Sequence, residues 1–348
     1  MVNRQWLDIV MFLEAAVLLL SLVVFFAHGL WLHLHQKREH RLLESARASL
    51  ARLVNRGTIN IEDITLLRSL PRDVQDVAFL EISANVTGAG KERLRFVARE
   101  VGILDRARSL CESGRWTKRL RGSRLFSRLD VADPIVRTLL ADAHPAVRAQ
   151  AAEWAATQPS LAVLTTLLEM LADPATQARF AVQDALLRVG TIVAEPLAKF
   201  LETHTGVAAA AGLKVAEAVA SPVFRPAALR LSEDNDPAVR VPAANLLGGI
   251  ADPPSAERLI ALLKDSDSAV RAAAARGLGR MQHWQAASQL AECLRDRTWR
   301  VRRDAALALR SIGAPGALFL RRALKGDDAF AADMAQLTLD LPEAAAAS

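Results

Sequence analysis

Only two cysteines occur in 348 residues, Cys111 and Cys293, far apart and without metal or redox spacing. This argues against a disulfide framework and fits a reducing compartment. The short motifs of catalysis are missing as well. There is no Gly-rich phosphate loop, no HExxH, no paired-Cys motif and no Gly-x-Ser-x-Gly elbow. The histidines His28, His33, His35 and His40 match no strong metal-ligand spacing. Without a nucleophile, a metal cluster or convergent acid–base groups, no enzymatic activity is expected, and no cofactor or metal.

Apolar residues are plentiful, at 51%. Much of the excess is alanine, as expected where helices pack closely. Another part is a single block, Ile9 to Leu32, broken among polar types only by Glu14, Ser21 and His28. At about 1.5 Å per residue a helix of this length crosses a hydrocarbon core of about 30 Å. A cleaved signal peptide fits less well, because only Arg4 precedes the run and Ala27-His28-Gly29 is a poor cleavage site. Lys37, Arg38, Arg41, Arg47, Arg52 and Arg56 follow the block, so the positive-inside rule puts the C-terminal side in the cytoplasm. Trp6 and Trp31 fall near the two interfaces, and Glu14 lies inside the span, where a carboxylate is costly. The expected location is the inner (cytoplasmic) membrane, single-pass, with the N-terminus outside.

The net charge of +6 is concentrated in one region, since residues 91–128 hold 12 basic and 4 acidic side chains. Arg115, Lys118, Arg121 and Arg124 are the candidates there for contact with an anionic surface. Helices are expected over 33–56, with an apolar stripe through Leu42, Leu43, Leu50, Leu53 and Val54, and Gly57 as the stop. Further helices are expected from Asn60 to Leu70, Asp73 to Ala84 and Lys91 to Cys111.

Beyond residue 115 a rung recurs about every 31 residues. An Asp is followed six positions later by an Arg, as Asp142 and Arg148, Asp173 and Arg179, Asp234 and Arg240, Asp265 and Arg271, Asp296 and Arg302. The slot near His204 is degenerate, and Asp327 opens a last rung with Asp333 in place of the Arg. A fixed period of this size indicates stacked helical hairpins. Asp236 and Asp267 are placed to cap second helices, and Pro237 suits a first turn. Gly190, Gly248, Gly249, Gly279 and Gly313 are expected to close those helices. Each Arg falls one turn inside its helix, facing a neighbouring unit, where a guanidinium can grip a carboxylate with two bonds. These ten residues are therefore read as a structural ladder.

The units DNDPAVRVPAANLLGGI and DSDSAVRAAAARGLGRM resemble HEAT repeats of the short, phycobilisome-lyase-like type, and DAHPAVRAQAAEWA nearly as well. The resemblance covers about residues 115–340 and departs in the 191–222 unit. It implies an α-solenoid with a protein-binding surface. Together with the apolar block, the expected fold is all-α, a single N-terminal transmembrane helix followed by a right-handed α-solenoid of HEAT-like hairpins. The expected organisation is an anchor at 1–32, a basic juxtamembrane helix at 33–56, an atypical helical cap at 57–114, the array at 115–340 and a flexible tail at 341–348.

A solenoid presents a long surface without a closed site. The expected role is thus a membrane-anchored cytoplasmic scaffold or adaptor in a bacterial-type inner membrane. Its partner is expected to be a protein in a membrane enzyme complex, envelope polysaccharide synthesis or export being one such context. Trp299 occupies a turn position that other units fill with small residues. With Arg300, Arg303 and Arg321 it forms the candidate partner-binding cluster. The alternative is anionic-lipid or nucleic-acid binding through 91–128, with nucleic acid the less favoured.

Overall fold

A computed structural model of the chain describes the backbone of residues 4–55 and 60–342, with their side chains apart from 4–12 and 14–17. The side chains of Trp6 and Glu14, the stop at Gly57 and the tail from 343 lie outside the described residues. The regular structure among the described residues is helical throughout, with no strand among them. They fall into two compact units, Met1–Asp133 and Pro134–Ser348.

The first unit holds α1 (Arg4–Asn55), α2 (Ile61–Ser69), α3 (Arg72–Ala84), α4 (Gly88–Glu100), α5 (Ile103–Cys111) and α6 (Trp116–Leu129). Helix α1 is continuous through the apolar block because nothing in it breaks a helix: no proline occurs, and Gly29 is alone. It has two characters. Leu18 to Leu34 is exposed along its length, and the helix is long and apolar enough to cross a membrane. Its last turns are packed, with Ala46, Leu50, Leu53 and Val54 buried against α2, α3 and α4.

The expected single helix from Lys91 to Cys111 is two helices. Gly102 takes a left-handed conformation (φ +77°) between α4 and α5, which only glycine adopts without strain. The chain reverses there, so that Leu94, Val97, Ile103 and Ala107 enter one core with Phe79 and Phe126.

The second unit is a series of seven hairpins. The first helices are α7 (Val136–Leu140), α9 (Leu161–Glu169), α11 (Ala194–Thr203), α13 (Arg225–Leu231), α15 (Pro253–Leu262), α17 (Ala287–Glu292) and α19 (Ala314–Ala323). The second helices are α8 (Pro145–Ala155), α10 (Thr176–Val189), α12 (Gly206–Val219), α14 (Pro237–Ile250), α16 (Ser268–Arg280), α18 (Trp299–Ser311) and α20 (Ala329–Leu339). Each second helix packs on the next, from α8 through to α20. This stacking is what a hairpin repeat needs to bury its apolar faces.

Local rules set many of the hairpin ends. Asp236 caps α14 by accepting the Ala238 N–H at 2.8 Å, with Pro237 at the first helical position. Asp267 caps α16 through the N–H groups of Ala269 and Val270. Gly190 and Gly313 sit at positive φ after α10 and α18, as closing glycines do.

Gly248 and Gly279 have a different job from the expected one. Helix α14 runs past Gly248 to Ile250 and is closed by Ala251 in the left-handed region (φ +59°). A Cβ on Gly248 would lie 2.5 Å from the Gly277 Cα, and one on Gly279 would lie 2.8 Å from the Ala308 Cα. These glycines let α14, α16 and α18 approach backbone to backbone.

Candidate functional site

The turn between the two helices of a hairpin builds the ladder. Asp265 accepts the Asp267 N–H on Oδ1 at 2.8 Å, which fixes its carboxylate at the edge of the turn. Asp173 and Asp296 do the same with the N–H groups of Ala175 and Thr298, both at 2.8 Å. One helical turn further on, the arginine reaches back. Arg271 donates from Nη1 to the carbonyls of Asp265 and Ser266 at 2.8 and 3.0 Å. Within a rung, the Asp and Arg six residues apart therefore meet through the Asp backbone.

The carboxylate partner lies 25 residues on, in the next hairpin. Arg148 grips Asp173 through Nε (2.6 Å) and Nη2 (2.7 Å). Arg240 grips Asp265 at 2.9 and 2.8 Å, and Arg271 grips Asp296 at 2.7 and 3.0 Å. Each arginine thus ties its own turn to the following one by five-donor geometry that lysine lacks.

Burial by itself would push the carboxyls of Asp173, Asp265 and Asp296 up. The arginine hydrogen bonds, the backbone N–H bonds and the arginine charges outweigh it and hold all three below the ordinary carboxylate value.

The ladder is interrupted twice among the described residues. Arg179 holds the carbonyls of Asp173 and Pro174 and the Thr176 hydroxyl, yet His204 stands where its carboxylate belongs. The His204 ring stacks on Phe200 at 3.8 Å between centroids. Ala209 occupies the arginine position of that unit, so the Asp234 carboxylate has no arginine. The second interruption is at Arg302. Its Nη1 bonds to the carbonyls of Asp296 and Arg297, but its Nε is buried without a hydrogen-bond partner.

Trp299 is the first residue of α18 and is 54% exposed. The Arg303 guanidinium lies over its ring at 5.2 Å, so these two members of the candidate cluster are brought together. Arg300 and Arg321 are exposed, on α18 and α19, without a described hydrogen bond or ion pair.

Two features escape the sequence reading. Phe330, 67% exposed, lies in the first turn of α20 as Trp299 does in that of α18, and its ring centroid lies 5.0 Å from Arg302 Cζ. Their spacing of one period was the available signal. Asp304 is 1% exposed and pairs with Arg276 (2.5 Å) and Arg303 (2.9 Å). Its signal was an acid at a helix position that neighbouring units fill with Ala211, Pro242 and Ala273.

The basic segment of the first unit is largely paired internally. Arg121 binds Asp73 (2.7 Å) and the buried Asp76 (3.0 Å), and Arg106 shares Asp76. Arg95 holds Asp130, Arg93 the Val54 carbonyl, Arg108 Asp133, and Arg119 the carbonyls of Ser113 and Gly114. Arg115 and Lys118 are exposed at the start of α6, and Arg124 is exposed further along it.

A family model for HEAT repeats matches residues 224–310 and 256–339. Residues 224–339 are HEAT repeats. No curated protein matches the chain. Among solved structures, Kap121p bound to Nup53p is similar with a TM-score of 0.58 at 14% identity, over 87% of this chain and 41% of that one. The karyopherin Kap121p bound to the SUMO protease Ulp1p gives a TM-score of 0.57 at 14% identity, over 83% and 39%. The chain spans about two fifths of the length of these karyopherins. At this identity the likeness shows the fold alone, an α-solenoid.

Proposed function

We propose that the protein is a membrane-anchored scaffold whose HEAT repeats, of the short phycobilisome-lyase-like type, hold a membrane-associated protein partner on the cytoplasmic side of a bacterial inner membrane. The observation that carries this reading is helix α1. Its apolar stretch from Leu18 to Leu34 is exposed, while the same helix continues into buried Ala46, Leu50 and Leu53. A helix shared between bilayer and folded unit tethers the chain to the membrane. Residues 1–32 are the anchor in this reading, 33–56 the juxtamembrane helix, 57–114 the cap and 115–340 the array.

Protein binding is the use to which this fold is put in the two Kap121p complexes, with Nup53p and with Ulp1p. The ladder gives the surface its rigidity, and the exposed Trp299 cluster supplies an aromatic anchor flanked by arginines, the composition of an interface hot spot. The ladder aspartates and arginines are assigned to stacking rather than to catalysis.

The alternative, lipid or nucleic-acid binding through 91–128, has fewer free cations than the sequence count implies, because Arg93, Arg95, Arg106, Arg108, Arg119 and Arg121 are engaged within the unit.

Carbonate extraction and protease accessibility on sealed membrane vesicles test the anchor and its orientation. The protein is expected to resist extraction, with the repeats cleaved only from the cytoplasmic side. Crosslinking in membranes, followed by affinity purification, tests the scaffold. Recovery of no stable protein partner overturns it.

A further inference from the structure

Three ladder arginines fill their hydrogen-bonding capacity in one way. In Arg148, Arg240 and Arg271, Nη1 serves the turn carbonyls, and the Nε–Nη2 edge grips a carboxylate 25 residues on. Arg302 repeats only the first half. The residue 25 on is Asp327, which is exposed in the turn before α20 and makes no ion pair with Arg302 among the described contacts. The Nε is left buried and unpartnered, with the Phe330 ring over the guanidinium. A charged donor in that state is unsatisfied, and a carboxylate is the group its geometry matches.

We propose that Arg302 is the receiving end of the ladder: it takes a carboxylate from an acidic segment of a protein partner, while Trp299 and Phe330 hold the apolar side chains beside it. This deepens, and rests on, the scaffold reading. Charge complementarity favours an acidic segment. Arg295, Arg297, Arg300 and Arg303, within seven residues of it in the chain, are all exposed. Of the acids on that side, Asp296 is engaged by Arg271 and Asp304 by Arg276 and Arg303, which leaves Asp327 as this chain's own competitor for the seat.

Spacing favours a polypeptide. Trp299 and Phe330 lie in the first turns of consecutive second helices, which pack about 8–10 Å apart, a distance covered by about three residues of extended chain. At the filled rungs the same Nε–Nη2 edge grips a carboxylate, and competition with phosphate-bearing ligands is part of the test.

The test is panning of a displayed library of random dodecapeptides on the full chain in nanodiscs of uncharged lipid. Enriched peptides are expected to be acidic and to carry an aromatic or aliphatic residue. Arg302→Lys is expected to weaken the best of them about ten- to hundredfold, the loss of one charge-assisted pair. Replacing the peptide's Asp and Glu by Asn and Gln is expected to abolish binding. Because Arg302→Lys could disturb the array, Phe330→Ala and Trp299→Ala, both at exposed residues, are expected to weaken binding while leaving the thermal midpoint in place.

No enrichment of acidic peptides, binding indifferent to Arg302 and both aromatics, or displacement of the peptide by an oligonucleotide or anionic vesicles at physiological salt overturns the proposal. So does a gain of peptide binding in Asp327→Asn, which would mean that Asp327 fills the seat. A membrane partner that still crosslinks to the Arg302→Lys protein leaves the scaffold reading standing and removes this inference alone.

Discussion

Arg271 and Asp296 lie 25 residues apart in the chain and face each other across two hairpins, joined by parallel hydrogen bonds of 2.7 and 3.0 Å. Both are largely buried. The pair converts a short-range sequence pattern into a contact between neighbouring repeats, and its strength can be measured against the broken rung.

Removing one partner of a buried pair leaves the other charge uncompensated, which costs about 3–5 kcal/mol. Asp296→Asn is therefore expected to lower stability by about 3 kcal/mol in urea unfolding followed by circular dichroism. Asp234 has no arginine, and an asparagine oxygen can still accept the Asp236 N–H that it holds at 2.9 Å. Asp234→Asn is expected to stay within about 0.5 kcal/mol of the parent. Equal losses in the two variants would refute the ladder's energetic role.

The three gripped carboxylates give stability a defined acid limb. Asp173, Asp265 and Asp296 have folded pKa values below the ordinary 3.8. Their contribution is complete above about pH 5, where both folded and unfolded forms are ionised. It is lost as pH falls through the lower folded values, because the unfolded chain then binds more protons. Thermal midpoints are expected to fall steeply below pH 4, and less steeply in the Asp296→Asn variant, which lacks one of the three.

Gly248 and Gly249 are adjacent and should behave oppositely. A Cβ on Gly248 meets the Gly277 backbone at 2.5 Å, whereas one on Gly249 meets only the Ala220 Cβ, at an ordinary 3.5 Å. Gly248→Ala is expected to destabilise by about 1–3 kcal/mol through overpacking. Gly249→Ala is expected to be neutral or slightly stabilising, since alanine is the better helix former. Unfolding curves of the two variants decide it.

Both thiols should be inert in the folded chain. Burial pushes Cys293 up to about 11 and Cys111 up to about 12. Thiolate is the reactive species, so Ellman's reagent at pH 8 is expected to label neither residue until denaturant is added. Rapid labelling of the native protein would contradict the burial of Cys111 at the end of α5 or of Cys293 just beyond α17.

Trp299→Ala is expected to leave the unfolding curve unchanged, as the ring is exposed, and to reduce partner capture from membranes. Loss of neither stability nor capture removes Trp299 from the candidate interface.

The chain's sequence by itself determined the all-helical class, the hairpin period, the caps at Asp236 and Asp267 and the long apolar helix. These depend on residues a few positions apart, where propensity, capping and periodicity act directly. Tertiary structure decided the rest. It set which aspartate each arginine grips, made Gly248 a contact rather than a cap, and placed Asp76 and Asp304 as buried hubs for arginines counted as surface charge. It also left Arg302 with a buried donor and Phe330 in place of a carboxylate. Those outcomes depend on distances between helices remote in the chain, and on which side chains lose water when the repeats stack. Composition and spacing do not encode either one locally.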